Sequence, residues 1–195
     1  MKAIISTFAL TIVLSVICMA QFEKGSIELS LVGMAGAQKS TAEYKTFAFA
    51  STSIDLFVAE YISIEPQVDV LFNPLGPPAE SIIGNISGSQ RIANSNIAFF
   101  VKAGYGRGNS AIYPMTSEMT PRHVVDGWNV GIVDVGGGIK YLISNRAALK
   151  IEANFREETF PTIFYYFSPY GQVNTYEADV TDSNIALLIG FSIFL

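Results

Sequence analysis

Cysteine, histidine and tryptophan each occur only once, which limits the chemistry that this 195-residue chain can perform. The cysteine, Cys18, lies in the N-terminal segment, so a chain that loses this segment has no thiol for a disulfide or a metal site. Charge is also scarce, because 15% of the residues are charged, against roughly 25% in soluble domains. The formal net charge is −5 and no basic cluster is present, so we expect no nucleic-acid partner.

Long hydrophobic runs are missing after residue 20, although half of the residues are hydrophobic. No run there reaches the ~18 apolar residues that a membrane-spanning helix needs. The apolar residues are therefore dispersed, and the 14 Phe, 9 Tyr and 16 Gly favour strands and turns over helices.

The first 20 residues differ from the rest. Lys2 precedes an apolar stretch from Ala3 to Ile17, and the segment ends in the small residue Ala20. This order is typical of a secretory signal peptide. We predict cleavage after Ala20, with residues 1–20 as the signal peptide and 21–195 as a single domain. An uncleaved membrane anchor is the alternative.

Apolar and polar residues alternate through the rest of the chain. In the segment 147–156, Leu149 and Ile151 lie on one face, while Lys150 and Glu152 lie on the other. Period-two alternation predicts strands with one apolar face. The predicted strands are 26–37, 47–58, 62–72, 81–92, 97–105, 133–141, 147–156 and 185–195. Phe47 and Phe49 have the opposite parity to Ile54 and Leu56, so we predict a bulge or bend near residues 50–53.

The predicted connections alternate between short and long. Residues 59–61, 93–96 and 144–145 are tight turns, whereas 38–44, 73–80, 106–126 and 157–184 are longer. Outer-membrane barrels have short periplasmic turns and long outer loops. The chain is therefore predicted to be all-β: an eight-stranded antiparallel up-and-down transmembrane β-barrel in the bacterial outer membrane, preceded by a cleaved signal peptide.

The polar faces carry six acidic and five basic residues, which is close to neutrality. The interior of an eight-stranded barrel is just wide enough for side chains to fill it, and charges buried there must be paired. We predict that these residues form a polar network in the barrel interior: Glu28, Asp55, Glu65, Asp69, Arg91, Lys102, Asp134, Lys140, Lys150, Glu152 and Arg156. The alternative is a soluble barrel or sandwich whose charged face meets water.

Three segments resemble a known family. Residues 57–66 (FVAEYISIEP), residues 136–149 (GGGIKYLISNRAAL) and residues 103–106 (AGYG) are similar to hairpin and strand sequences of the OmpA-like and OmpX-like outer-membrane β-barrel domains. The resemblance implies outer-membrane lipid, either lipopolysaccharide or phospholipid, as the surroundings. It also implies that the barrel assembly machinery recognises the C-terminal strand by an aromatic last residue. Here Leu195 is the last residue, and Phe194 has the opposite parity.

The residues offer little for catalysis. His123 lies in a predicted outer loop, where a Ser–His–acid triad would have to recruit Ser110 or Ser117 and Asp126 or Glu118. A solvated loop histidine is the simpler interpretation, so we predict no enzymatic activity and no cofactor. An outer-leaflet lipid-modifying enzyme, a narrow passive pore and a soluble lipocalin-type barrel are the alternatives.

The last predicted loop is rich in aromatic residues, which are frequent in contact surfaces. The candidates for contact with an extracellular protein or surface are Phe164, Tyr165, Tyr166, Phe167 and Tyr170. A second interpretation is that the inner part of this segment extends the last two strands above the membrane or packs on the barrel mouth. We predict a structural or surface-interaction role through long extracellular loops.

Overall fold

The computed structural model of the chain describes residues 22–39, 44–72, 78–109, 122–124, 128–167 and 173–195. The strands are β1 (Ile27–Lys39), β2 (Tyr44–Ala59), β3 (Ile62–Phe72), β4 (Ala79–Arg91), β5 (Ile97–Gly108), β6 (Arg122–Val124), β7 (Val130–Ser144), β8 (Ala147–Phe167) and β9 (Val173–Phe194). Within these ranges no helix long and apolar enough to cross a membrane is found. The predicted signal peptide, 1–20, lies outside the described residues.

Eight long strands form one closed antiparallel ring. Each of these strands pairs with its neighbours along the chain, and β9 pairs with both β8 and β1. In the described ranges, the three-residue strand β6 pairs only with β8, beyond the part of β8 that pairs with β7, and Arg122 lies opposite Phe164. The predicted eight-stranded up-and-down barrel is therefore confirmed. The strand β6, which lies within the predicted loop 106–126, was not expected.

The alternation places the charged face inside the ring. On β8, Leu149 and Ile151 are 50% and 49% exposed, while Lys150 and Glu152 are 1% and 0% exposed. The same pattern repeats on the other long strands, with exposed residues such as Val68 and Ile139 on the outer surface. A soluble barrel with an apolar core would have the opposite arrangement, because burying charge costs free energy unless each charge is paired.

The predicted bulge near residues 50–53 is wrong. Strand β2 pairs with β1 without interruption from Lys39↔Tyr44 to Ile27↔Leu56, and the register shift of β2 against β3 lies between Phe57 and Ala59. Phe49 and Phe57 have the parity of Asp55 and, like it, are buried. The parity conflict in the sequence therefore reflects apolar side chains that point into the barrel, not a change of strand direction.

The last two strands extend far beyond the predicted bounds. Strands β8 and β9 stay paired up to Phe167↔Val173, so most of the predicted loop 157–184 is a hairpin. Its inner part extends the strands, as the second interpretation of this segment predicted. Neighbouring strand β7 stops pairing with β8 at Gly131↔Thr159, and β1 stops pairing with β9 at Gly33↔Ile189. We call the outer part of this hairpin, 160–167 with 173–182, the arm.

Candidate functional site

An ion pair joins opposite walls of the barrel. Arg156 on β8 contacts Asp69 on β3, with 2.6 Å between Nη1 and Oδ2. In the ring of eight strands, β3 and β8 are separated by three strands on either side. Arg156 also contacts Glu158 at 2.8 Å, and its Nη2 donates a hydrogen bond to Ser81 Oγ at 2.7 Å. This group therefore spans the interior from β8 to β3 and β4.

A second group surrounds Lys102 on β5. Its Nζ lies 2.7 Å from Glu152, 3.6 Å from Glu65 and 3.8 Å from Asp134. It also donates a hydrogen bond to Gln67 Oε1 at 2.7 Å. Glu65 and Gln67 lie on β3, Asp134 on β7 and Glu152 on β8, so one buried ammonium group on β5 connects four strands.

A third group lies nearer the short turns. Lys140 Nζ contacts Glu28 at 2.6 Å and lies 5.0 Å from the centroid of the Phe100 ring. Lys150 approaches the same ring at 4.5 Å and pairs with Glu152 at 3.1 Å. Asp55 accepts a hydrogen bond from the Ser63 hydroxyl at 2.9 Å. Cation–π contacts of this kind are stronger where water is excluded.

Apolar side chains close the barrel at the turn end. We call this group the floor cluster: Phe22, Phe57, Ala98, Leu142, Ala148 and Phe194. The Phe22 ring meets that of Phe194 edge-on, with 5.5 Å between centroids. Backbone hydrogen bonds hold this N-terminal segment in place, from Gly25 to the Phe57 carbonyl and from Tyr61 to the Phe22 carbonyl. The unusual parity of Phe194 is thereby explained, because its ring faces the floor cluster and not the outer surface.

Two further apolar clusters line the interior toward the loop end. One comprises Val32, Phe49, Leu71, Ala79, Ala186 and Leu188, and the other comprises Ile83, Val130, Ile132 and Phe160. The interior is therefore polar in its middle and apolar toward both ends. Apolar side chains above and below the ion pairs keep water from them, which strengthens their electrostatic attraction.

Ten of the eleven residues predicted for the interior network are buried inside the barrel. Arg91 is not among them: it is exposed at the end of β4, where its Nε donates a hydrogen bond to the Ser95 carbonyl in the turn. Its odd number gives it the parity of the buried residues of β4, such as Ser89, but Arg91 is the last residue of the strand and its side chain is exposed at the turn.

The sequence reasoning also missed Glu158, which is buried and pairs with Arg156. The parity of Lys150, Glu152 and Arg156 continues to this residue, so the signal was present but was assigned to a loop. The buried charges among the described residues are thus seven acids and four bases, a formal excess of three negative charges (7 − 4). The predicted near-neutrality of the interior network is therefore wrong.

The arm presents a different surface. Phe164 on β8 stacks on Tyr176 of β9, with 5.1 Å between centroids and 14° between planes. The side chains of Tyr165, Tyr166 and Phe167 and the whole of Tyr170 lie outside the described residues. From 157 to 184 the chain has no Lys, Arg or His, while it carries five acids: Glu157, Glu158, Glu177, Asp179 and Asp182.

Candidate catalytic groups fall mostly outside the described residues. His123 is described only by its backbone, which pairs with Ile163. Ser110, Ser117, Glu118 and Asp126 are not described. Among the residues that are, no group of three or more His, Cys, Asp or Glu side chains could hold a metal ion.

A closed eight-stranded ring with charges inside and aliphatic side chains outside defines the class of transmembrane β-barrels. Comparison with solved structures supports this class. The crystal structure of the outer membrane protein OprG from Pseudomonas aeruginosa is similar, with a TM-score of 0.51 and 12% identity, over 91% of this chain and 99% of that one.

A second similar structure is that of Neisserial surface protein A, with a TM-score of 0.47 and 12% identity, over 87% of this chain and 96% of that one. No family model matches the chain, and no curated protein does either. At this identity the likeness to OprG shows the fold alone. The OmpA-like or OmpX-like resemblance stays a prediction.

Proposed function

We propose that the chain is a non-enzymatic bacterial outer-membrane β-barrel that does not conduct and that acts through its outer loops and arm. The predicted signal peptide, the aliphatic outer surface and the fold shared with OprG support an outer-membrane location. Lipopolysaccharide or phospholipid then surrounds the barrel, and the assembly machinery receives it through the C-terminal strand. The arm and loops meet an extracellular protein or surface.

The ion pair between Arg156 and Asp69 carries the proposal that the barrel is closed. This contact of 2.6 Å joins opposite walls, and Arg156, Asp69 and Glu158 are each 2% exposed or less, which supports an interior closed to water at that level. Above and below it, the apolar clusters offer nothing that would replace the hydration shell of an ion. These features favour a structural interior over the alternative of a narrow passive pore.

The alternative of an outer-leaflet lipid-modifying enzyme depends on His123 and on loop residues outside the described ranges. No observation favours it. Incubation with labelled phospholipid or lipopolysaccharide, analysed by mass spectrometry, tests it directly. Turnover by the unaltered protein, lost in His123→Ala, would replace our proposal with this one.

Single-channel recording in planar bilayers tests the closed interior. We expect the unaltered protein to be silent. The double variant Arg156→Ala/Asp69→Ala removes both side chains that meet across the barrel and is expected to pass small ions at intervals. Its matched control is Glu157→Ala, outside the network. Steady current through the unaltered protein would refute the proposal, and fractionation with inner membranes or periplasm would refute the location.

A further inference from the structure

Among the described residues, no strand lies beside one edge of the arm. Pairing of β9 with β1 ends at Ile189, so within the described residues β9 pairs only with β8 from Val173 to Leu188. If β1 went on pairing with β9 in the same register, its last residue, Lys39, would lie opposite Ser183. Residues 173–182 therefore lie beyond the reach of β1. This ten-residue edge is about 33 Å long, and its residues on either side of Tyr176 offer backbone N–H and C=O groups for pairing.

The side chains beside this edge differ between its two faces. On the outer face Glu177 and Asp179 are exposed, two residues apart. On the inner face Ala178 and Val180 are half-buried, and Val180 packs against the apolar cluster around Phe160. The inner face also holds Asp182, whose Oδ2 is buried and has no hydrogen-bond partner in the described part of the chain.

We propose that this edge binds an extended, cationic polypeptide segment that adds as a further strand beside β9. The inference rests on the proposed function, because it names the partner class of the arm. Backbone hydrogen bonds would supply affinity, as in other cases of strand addition. Side chains directly opposite in paired strands approach to about 5 Å, so Lys or Arg at alternate positions would face Glu177 and Asp179. Apolar residues between them would extend the inner face.

A second copy of this chain is a poorer occupant. Two arms paired edge to edge would bring Glu177 and Asp179 of one copy close to the same residues of the other. Like charges opposite each other in a sheet are destabilising, and the arm has no cation to offset them. The same acids that attract a basic strand thus prevent self-association.

The probe is a ten-residue peptide of alternating lysine and valine, capped at both ends and labelled for fluorescence anisotropy. The full chain is held in zwitterionic micelles, with empty micelles as the blank. We expect saturable binding, and no binding of the glutamate–valine counterpart. The double variant Glu177→Gln/Asp179→Asn keeps shape but removes charge, and should bind about tenfold more weakly. Glu23→Gln/Glu80→Gln removes two exposed acids elsewhere and should bind as the unaltered chain does.

Two N-methylated peptides separate strand addition from simple charge attraction. One carries methyl groups on every lysine nitrogen and the other on every valine nitrogen, so each blocks one edge of the peptide strand. At least one of them should lose binding at least tenfold, although the charge is unchanged. Equal binding of all three cationic peptides, or equal binding to the Gln/Asn variant, would overturn the inference.

Failure of this inference and failure of the proposed function give different results. A preparation that fractionates with outer membranes and is silent in bilayers, yet binds none of the peptides, overturns the strand-addition proposal alone. A preparation that conducts overturns the proposed closed barrel, whatever its peptide binding.

Discussion

Removal of the Arg156 guanidinium is the most informative perturbation of the interior. This group contacts Asp69 at 2.6 Å and Glu158 at 2.8 Å, and the three side chains are almost wholly inaccessible to water. In Arg156→Met both carboxylates lose their cation while they stay buried. Breaking a buried ion pair by removing one partner costs about 3–5 kcal/mol. With two acids affected, we expect the free energy of unfolding to fall by at least this amount.

The triple variant Arg156→Met/Asp69→Leu/Glu158→Leu tests whether unpaired buried charge causes this loss. Replacement of a whole buried ionic group by apolar residues of similar volume is often neutral or stabilising. We therefore expect the triple variant to recover most of the stability that the single variant loses. The apolar cluster of Ile83, Val130, Ile132 and Phe160 lies nearby to pack against the new side chains.

The measurement is urea unfolding of the refolded protein in phospholipid vesicles, followed by circular dichroism and by the gel mobility of unheated samples. Glu157→Gln, on the same strand outside the network, is the matched control. If Arg156→Met unfolds at the same urea concentration as the unaltered chain, the ion pair does not stabilise the barrel. If the triple variant is less stable than the single one, burial of unpaired charge is not the cause of the loss.

Three further changes test other parts of the barrel by the same unfolding measurement. Ile151→Lys places a charge on the outer surface and should cost about 2–4 kcal/mol in vesicles, whereas Thr175→Lys on the arm should cost little; equal effects would contradict the assigned orientation. Gly190→Ala would bring a methyl group against the Leu31 carbonyl oxygen at the β1–β9 seam, so we expect a loss of about 1–3 kcal/mol, while Gly84→Ala, with open space around its Cα, should be tolerated. Phe22→Ala empties the centre of the floor cluster and should cost about 3–5 kcal/mol; Phe72→Ala on the outer surface is the comparison, and a larger loss there would contradict the role of the floor.

The alternation of the sequence was enough to predict the barrel and the inward direction of ten charged residues. Side chains on a strand point to opposite faces in turn, so one well-placed pair such as Lys150 and Ile151 orients a whole strand. Arg91 fell outside this rule because it lies at a strand end, where the side chain can reach the turn. Glu158 was missed because the aromatic, proline-containing stretch after it suggested a loop.

Partner choice inside the barrel could not be predicted from the sequence. Which cation meets which acid depends on the stagger of the strands, which alternation does not determine. Arg156 is 87 residues from Asp69 along the chain, yet the closure of the ring brings them together. The inward Phe residues were ambiguous for a related reason: in the alternating pattern, an apolar residue of the wrong parity can indicate either a bulge or an apolar layer of the interior.

The arrangement of charge explains how one sheet can serve two surroundings. Within the ring, excess acid is held among cations and hydroxyl groups, and the outer surface offers hydrocarbon mainly aliphatic and aromatic groups. Beyond the ring, β8 and β9 continue with the same alternation but without cations, and the outer-face acids Glu177 and Asp179 are exposed. An open strand edge is costly in hydrocarbon, because no water hydrogen-bonds its backbone groups. Beyond the ring, water is available, so the edge can stay open. Within the described part of the chain, the edge of 173–182 that faces no strand is therefore a consequence of β8 and β9 extending beyond the barrel, and its acidity determines which partner it can accept.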